Sequence, residues 1–226
     1  MVLDDAEKDA LRGHYDEELA ALDQEIGLLF ESLRQRGLWD DTLIVLTADH
    51  GEEFFEHGGM AHGTTLYDEL IHVPLVIKPP KRWRAPAGAQ VDAMVELRDL
   101  LPTLLEAAGA KLRPDRATRS LLRWAVDGKG DGREFVVSEL GTTVAVRTAT
   151  HKLIFEREGD GARESLFDLE SDPGETRDRF ADQPQTVAQM ERYLRSWRAA
   201  LHPIQPGQEK LDDETVEGLR GLGYLD

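Results

Sequence analysis

Leu43-Ile44-Val45-Leu46-Thr47-Ala48-Asp49-His50-Gly51-Glu52 is the stretch that decides the fold. Its first half is apolar without polar alternation, as expected for a strand buried on both faces of a parallel sheet. Its second half sets a carboxylate and an imidazole side by side at that strand's carboxyl end, where open α/β sheets hold their active sites. An arbitrary Asp-His pair is more often a helix cap and a surface ring. The strand in front reverses that reading and makes Asp49 and His50 candidate metal ligands, a hard oxygen donor beside a neutral imidazole. Gly51 is expected to turn the backbone tightly beside a bound ion. Glu52 reads as a solvated or helix-terminal charge rather than a ligand.

Upstream, Leu11, Tyr15, Leu19, Leu22, Ile26, Leu29 and Leu33 recur with a period near 3.6, which predicts a long amphipathic helix from about Asp5 to Arg36, stopped by Gly37. Downstream comes a glycine-rich loop holding His57 and His62. An imidazolium donates to tetrahedral anions, so both are candidate substrate-binding residues, against the plainer reading of a polar loop with incidental histidines. A second apolar strand, Val73 to Ile77, is cut off by Pro79-Pro80. Val91 to Val95 reads as a further strand, and Asp99 as the cap of a helix that Gly109 ends.

Past Asp127 the pattern changes to short strand-like runs, Glu134 to Glu139, Thr143 to Arg147, Lys152 to Glu156 and Ser165 to Leu169. Turn residues separate them, which predicts a small antiparallel sheet. An amphipathic helix follows, roughly Pro184 to Leu201, with Val187, Met190, Leu194 and Trp197 on its core face. Asp168, Asp172 and Glu175 surround an Asp-Pro-Gly turn and read as turn chemistry before calcium ligation. The expected organisation is an α/β domain over residues 1–130 and a small α+β subdomain over 131–226.

The chain has 226 residues, no cysteine and a formal net charge of -17. That field argues against nucleic acid or an anionic membrane as a partner, and no apolar run reaches the ~20 residues of a membrane span. Disulfides, thiolate metal sites and a cysteine nucleophile are excluded within these residues.

Several segments, in order, resemble one family. Leu46-Thr47-Ala48-Asp49-His50-Gly51-Glu52, the His57-Gly58 to His62-Gly63 loop with Tyr67 and Glu69, and Val73-Pro74-Leu75-Val76-Ile77 look like the metal-site half of sulfatases in the alkaline phosphatase superfamily. Asp99-Leu100-Leu101-Pro102-Thr103-Leu104-Leu105, Ser120-Leu121-Leu122, Lys152-Leu153-Ile154 with Leu166-Phe167-Asp168-Leu169, Asp172-Pro173-Gly174-Glu175 and the tail Leu219 to Tyr224 continue the likeness.

The resemblance implies part of an alkaline-phosphatase-like sandwich with a mainly parallel central sheet. It also implies hydrolysis of a sulfate ester at a divalent metal, usually calcium, with a formylglycine nucleophile made from cysteine or serine. Asp49 and His50 then match the second pair of ligands, and His62 falls where many members carry a sulfate-contacting lysine. The leading paired aspartates and the Cys/Ser-x-Pro-x-Arg segment have no counterpart here. The resemblance therefore implies a fragment that is inactive alone and whose partner is the missing N-terminal half. A phosphodiesterase or phosphonate monoester hydrolase fragment and a non-catalytic interaction module are the competing expectations.

Overall fold

A computed structural model describes residues 3–110, 118–130, 132–158 and 161–201. Met1–Arg195 form one compact unit and Ser196–Asp226 a second, of which residues 196–201 are described. The expected tail motif Leu219 to Tyr224 lies outside the described residues.

The long helix forms as its periodicity predicts. α1 spans Asp5–Gln35 and opens on a capping box in which Asp4 accepts from the Glu7 N–H and the Glu7 side chain returns the bond. This arrangement satisfies two backbone donors that a helix start leaves open. Gly37, with φ at 68°, ends the helix in the left-handed conformation that lets Leu38 N–H reach back to Leu33 O at 2.9 Å. Tyr15 meets Phe54 edge-on and Phe30 meets Trp39. No residue of α1 is buried, however, and Leu22 and Leu29 keep more than half of their surface exposed.

β1 (Ile44–Thr47) pairs with β4 (Leu75–Lys78) antiparallel, Ile44 opposite Lys78 and Thr47 opposite Leu75. Among the described residues β1 thus has an antiparallel neighbour rather than the expected parallel one. Parallel neighbours need a crossover that carries the chain back to the starting end; residues 48–74 instead return it from the end where it left. They form a short hairpin, β2 (Glu53–Phe54) with β3 (Met60–Ala61), and one helical turn, α2 (Asp68–Ile71). Leu46 is 40% and Val76 56% exposed, because nothing among the described residues covers that side.

Val91 to Val95 forms no strand. α3 (Leu100–Ala107) ends before Gly109 as expected, but Asp99 makes no side-chain cap bond. Its buried carboxylate instead accepts from the backbone N–H of Glu96 and of Arg119 and pairs with the Arg133 guanidinium. Asp99 is thus a junction between the helix start and the segment around residue 119. α4 (Leu122–Asp127) follows.

The antiparallel meander is borne out: β5 (Val136–Leu140), β6 (Thr143–Arg147), β7 (His151–Glu158) and β8 (Gly161–Asp168) pair in sequence order. Alternation puts Val146, Leu153 and Leu166 on one face and Ala145, Lys152, Ile154 and Phe167 on the other. α5 (Pro184–Ala200) buries Val187, Met190 and Leu194, with Tyr193 stacked on Phe135. The second face packs on Leu66, Tyr67 and Ile71 beside α2.

That packing carries a charged knot. Lys152, fully buried, donates to Leu66 O at 3.0 Å and Asp68 Oδ1 at 2.8 Å, and its Nζ lies 2.7 Å from Glu175 Oε1. Arg147 adds a bond to Asp68 Oδ2 at 3.0 Å. Burial pushes the Asp68 carboxyl up, but the hydrogen bond from Arg147 and the charge of Lys152 outweigh it and hold it below the ordinary aspartate range. For a lowered carboxyl the stabilisation is present above the unfolded value, about 3.9, and is lost as pH falls through the lowered folded value. Asp68→Asn is therefore expected to give a shallower acid limb in a plot of urea midpoint against pH. A slope identical to the parent's would show that Asp68 does not contribute to acid unfolding.

Candidate functional site

The β1 end, the β2–β3 hairpin and α2 converge around four of the residues singled out in the sequence. Asp49 and His50 follow β1 directly. His50 Nδ1 lies 2.9 Å from Gly51 O, and its Nε2 lies 3.8 Å from Asp49 Oδ2. A carbonyl oxygen only accepts, so Nδ1 carries hydrogen, and Nε2 is the ring nitrogen left to a ligand, beside the carboxylate. Metal-bound histidines are held in this way, with one nitrogen on a backbone carbonyl and the other free to ligate. Both side chains are accessible. A separation of 3.8 Å can be bridged by one cation at the ~2.0–2.6 Å typical of such bonds. The residues fit a divalent metal.

Gly51 serves a different purpose from the one expected. A Cβ there would stand 1.9 Å from Glu69 O, and the Gly51 N–H donates to Leu70 O at 2.8 Å. The absent side chain lets the strand end lie against the backbone of α2.

His62 lies beside the candidate ligand pair. Its ring stacks on His50 with centroids 4.1 Å apart, and its Nδ1 lies 3.3 Å from both oxygens of Glu52. The ring is half exposed, so its Nε2 side can meet a ligand. Glu52, set aside in the sequence, orients His62.

His57 is placed elsewhere. Its Nδ1 is 2.6 Å from Glu69 Oε1, its Nε2 faces the carbonyl oxygens of Gly174 and Glu175, and its ring lies flat on Tyr67 at 3.5 Å. Glu53, His57 and Glu69 bring ligand-type atoms within 4.8 Å of one another. Their partners account for this cluster without an ion. Glu53 Oε1 accepts from the N–H of His57 and of Gly59, and Oε2 accepts from the Thr65 hydroxyl. At 2.6 Å a proton fits between His57 and Glu69 and a cation does not. Gly59 has no side chain because a Cβ would meet the Glu53 carboxylate at 2.8 Å. Glu53 was missed in the sequence, where its only signal is an acidic residue in a loop rich in glycine and threonine.

Comparisons with known proteins agree on one group. Residues 3–110 match the family model described as Sulfatase. Arylsulfatase K of Bos taurus is 31% identical over an alignment 199 positions long, covering 82% of this chain and 36% of that protein. A protein solved in complex with its substrate D-glucosamine-2-N,6-O-disulfate superposes with a TM-score of 0.72 at 26% identity, covering 85% of this chain and 41% of that one. Phosphonate monoester hydrolase of Agrobacterium radiobacter gives a TM-score of 0.74 at 26% identity, covering 86% and 42%. The chain spans about a third of the length of the curated relatives it matches. These superpositions show that the mixed α/β fold is shared with those structures. No helix among the described residues is long and apolar enough to cross a membrane.

Proposed function

We propose, from the premise that this chain belongs to the sulfatase family, that it supplies metal and anion contacts to a site hydrolysing sulfate esters. Asp49 and His50 hold a divalent cation, with calcium as the ion, and His62 contacts the sulfate. The orientation of His50 carries this reading, since its Nδ1–H is committed to Gly51 O and its Nε2 is aimed beside Asp49 Oδ2. The bound cation offsets the anionic charge of the substrate. With one carboxylate and one imidazole it keeps mostly water ligands and binds weakly.

The nucleophile and the remaining ligands come from a companion segment outside these 226 residues, the missing N-terminal half. The open side of β1 and β4, with Leu46 and Val76 exposed, is the face it covers. His57, with both ring nitrogens occupied, supports the hairpin rather than the anion. The likeness to a phosphonate monoester hydrolase favours a second reading, a phosphoryl or phosphonyl ester in place of the sulfate.

One experiment tests both: co-expression with the N-terminal half of a sulfatase and assay against aryl sulfate and aryl phosphonate in parallel. Preference for the phosphonate would replace the first reading by the second, and turnover of neither would remove both. In the same assembly His62→Ala is expected to raise KM for the aryl sulfate by about 10-fold or more, the loss of one charge-assisted hydrogen bond. His62→Lys is expected to recover most of it. An unchanged KM in His62→Ala would leave His62 as a loop residue.

A further inference from the structure

The β2–β3 hairpin that delivers His62 is gripped from a point more than a hundred residues away. His57 Nε2 faces Gly174 O at 3.1 Å and Glu175 O at 3.3 Å. Both acceptors are carbonyls, so this nitrogen carries hydrogen; Nδ1 then shares a second proton with the Glu69 carboxylate. The turn it grips is fixed in turn by Glu175, whose backbone is left-handed at φ 53° and whose side chain is buried. Glu175 Oε2 accepts the Asp68 N–H at 2.7 Å, and Oε1 lies 2.7 Å from Lys152 Nζ.

A left-handed non-glycine residue and a waterless ammonium persist only where surroundings over-determine them. Here Lys152 on β7, Asp68 on α2 and Glu175 after β8 do so together. From His57 the constraint passes along the hairpin: Glu53 accepts the N–H of His57 and of Gly59, Glu53 pairs with Ala61, and His62 is the next residue.

We propose that Glu175, fixed by Lys152, is a positioning residue for the candidate anion site, holding His57 so that the hairpin sets His62 over His50. The inference rests on the sulfate-ester reading for the use of that site. Its geometry does not.

Histidine side-chain NMR of the 226-residue chain tests it. The His50–His62 stack displaces the ring protons of His62 through the ring current of its neighbour. Glu175→Ala is expected to abolish that displacement and shift the His57 signals, while His151, bonded to Thr150 and Gln183, reports the intact sheet. Glu175→Gln keeps an acceptor for the Asp68 N–H and is expected to restore the stack in large part.

Should His151 show that Glu175→Ala is unfolded, His57→Gln is read instead, with the same loss expected at His62. His62 signals that stay at the parent position in His57→Gln, or in a folded Glu175→Ala, overturn the proposal. In the assembled enzyme Glu175→Ala is expected to raise KM for an aryl sulfate about 10-fold with kcat nearly unchanged. A displaced His62 combined with normal calcium binding in Asp49→Ala would leave the positioning role standing and remove the metal-site reading.

Discussion

The 226-residue chain, purified to homogeneity and given calcium and an activated aryl sulfate, is expected to show no multiple turnover. Sulfatase-type hydrolysis runs through a covalent step, which splits one difficult displacement into two easier ones. The sequence has no cysteine to become the nucleophile. None of its serines opens a Ser-x-Pro-x-Arg run: Ser120 is followed by Leu121-Leu122-Arg123, and Ser171 by Asp172-Pro173-Gly174-Glu175, with its hydroxyl donating to Asp168 at 2.8 Å. A cation and one imidazole would stabilise charge without supplying the attacking atom. Charge stabilisation and binding alone give only about 10³–10⁴-fold over water in hydrolases stripped of their nucleophile, too little to detect here. Turnover that depends on calcium and follows the chain through every purification step would overturn the expectation. Activity gained only with the complementary half would support it.

Replacing Asp49 by alanine is expected to weaken calcium binding by about 100-fold, close to 2.7 kcal/mol at 1.36 kcal/mol per decade. The loss is large because the carboxylate is the one anionic donor of the pair and His50 alone is a poor ligand for a hard cation. Terbium luminescence, with calcium as competitor, reads it on the chain itself. Glu139→Ala, an exposed change on β5, controls for the loss of one negative charge. Equal affinities in the Asp49 and Glu139 variants would remove Asp49 from the metal site. In the assembled enzyme the same substitution is expected to lower kcat/KM by at least as much as it lowers affinity.

The Asp49–His50 corner could be picked out as a candidate because everything that makes it is local: an apolar strand, its end, and two donor types in consecutive positions. His62 was proposed through the family pattern, and the structure places its ring against His50. His57 looked equivalent to His62 in sequence. What separates them is Glu69 on a helix not yet formed and a turn beyond residue 170.

Lys152 was equally opaque. A lysine in an alternating strand reads as solvent-facing, and only the segment around Leu66 to Asp68, closing over that face, turns it inward. The stripe on α1 was readable as a stripe. Periodicity says which residues share a face and is silent on what covers them, and the exposed Leu22 and Leu29 show the difference. Asp99 was misread for the same reason, since Arg119 and Arg133 reach it from well beyond the helix it begins.

The meander of β5 to β8 has a consequence for the order in which the chain acquires structure. Each strand pairs only with its neighbour in sequence through short connections, so its loop-closure cost is small and its contact order low. The β1–β4 pair must close a much longer loop before its ladder repays anything. Hairpin-by-hairpin assembly is thus expected to give this sheet a kinetic head start, although it follows β1 and β4 in the chain. Lys152 is then expected to stay hydrated on a nearly finished sheet until Asp68 arrives. On that order the docking of α2 would complete the knot.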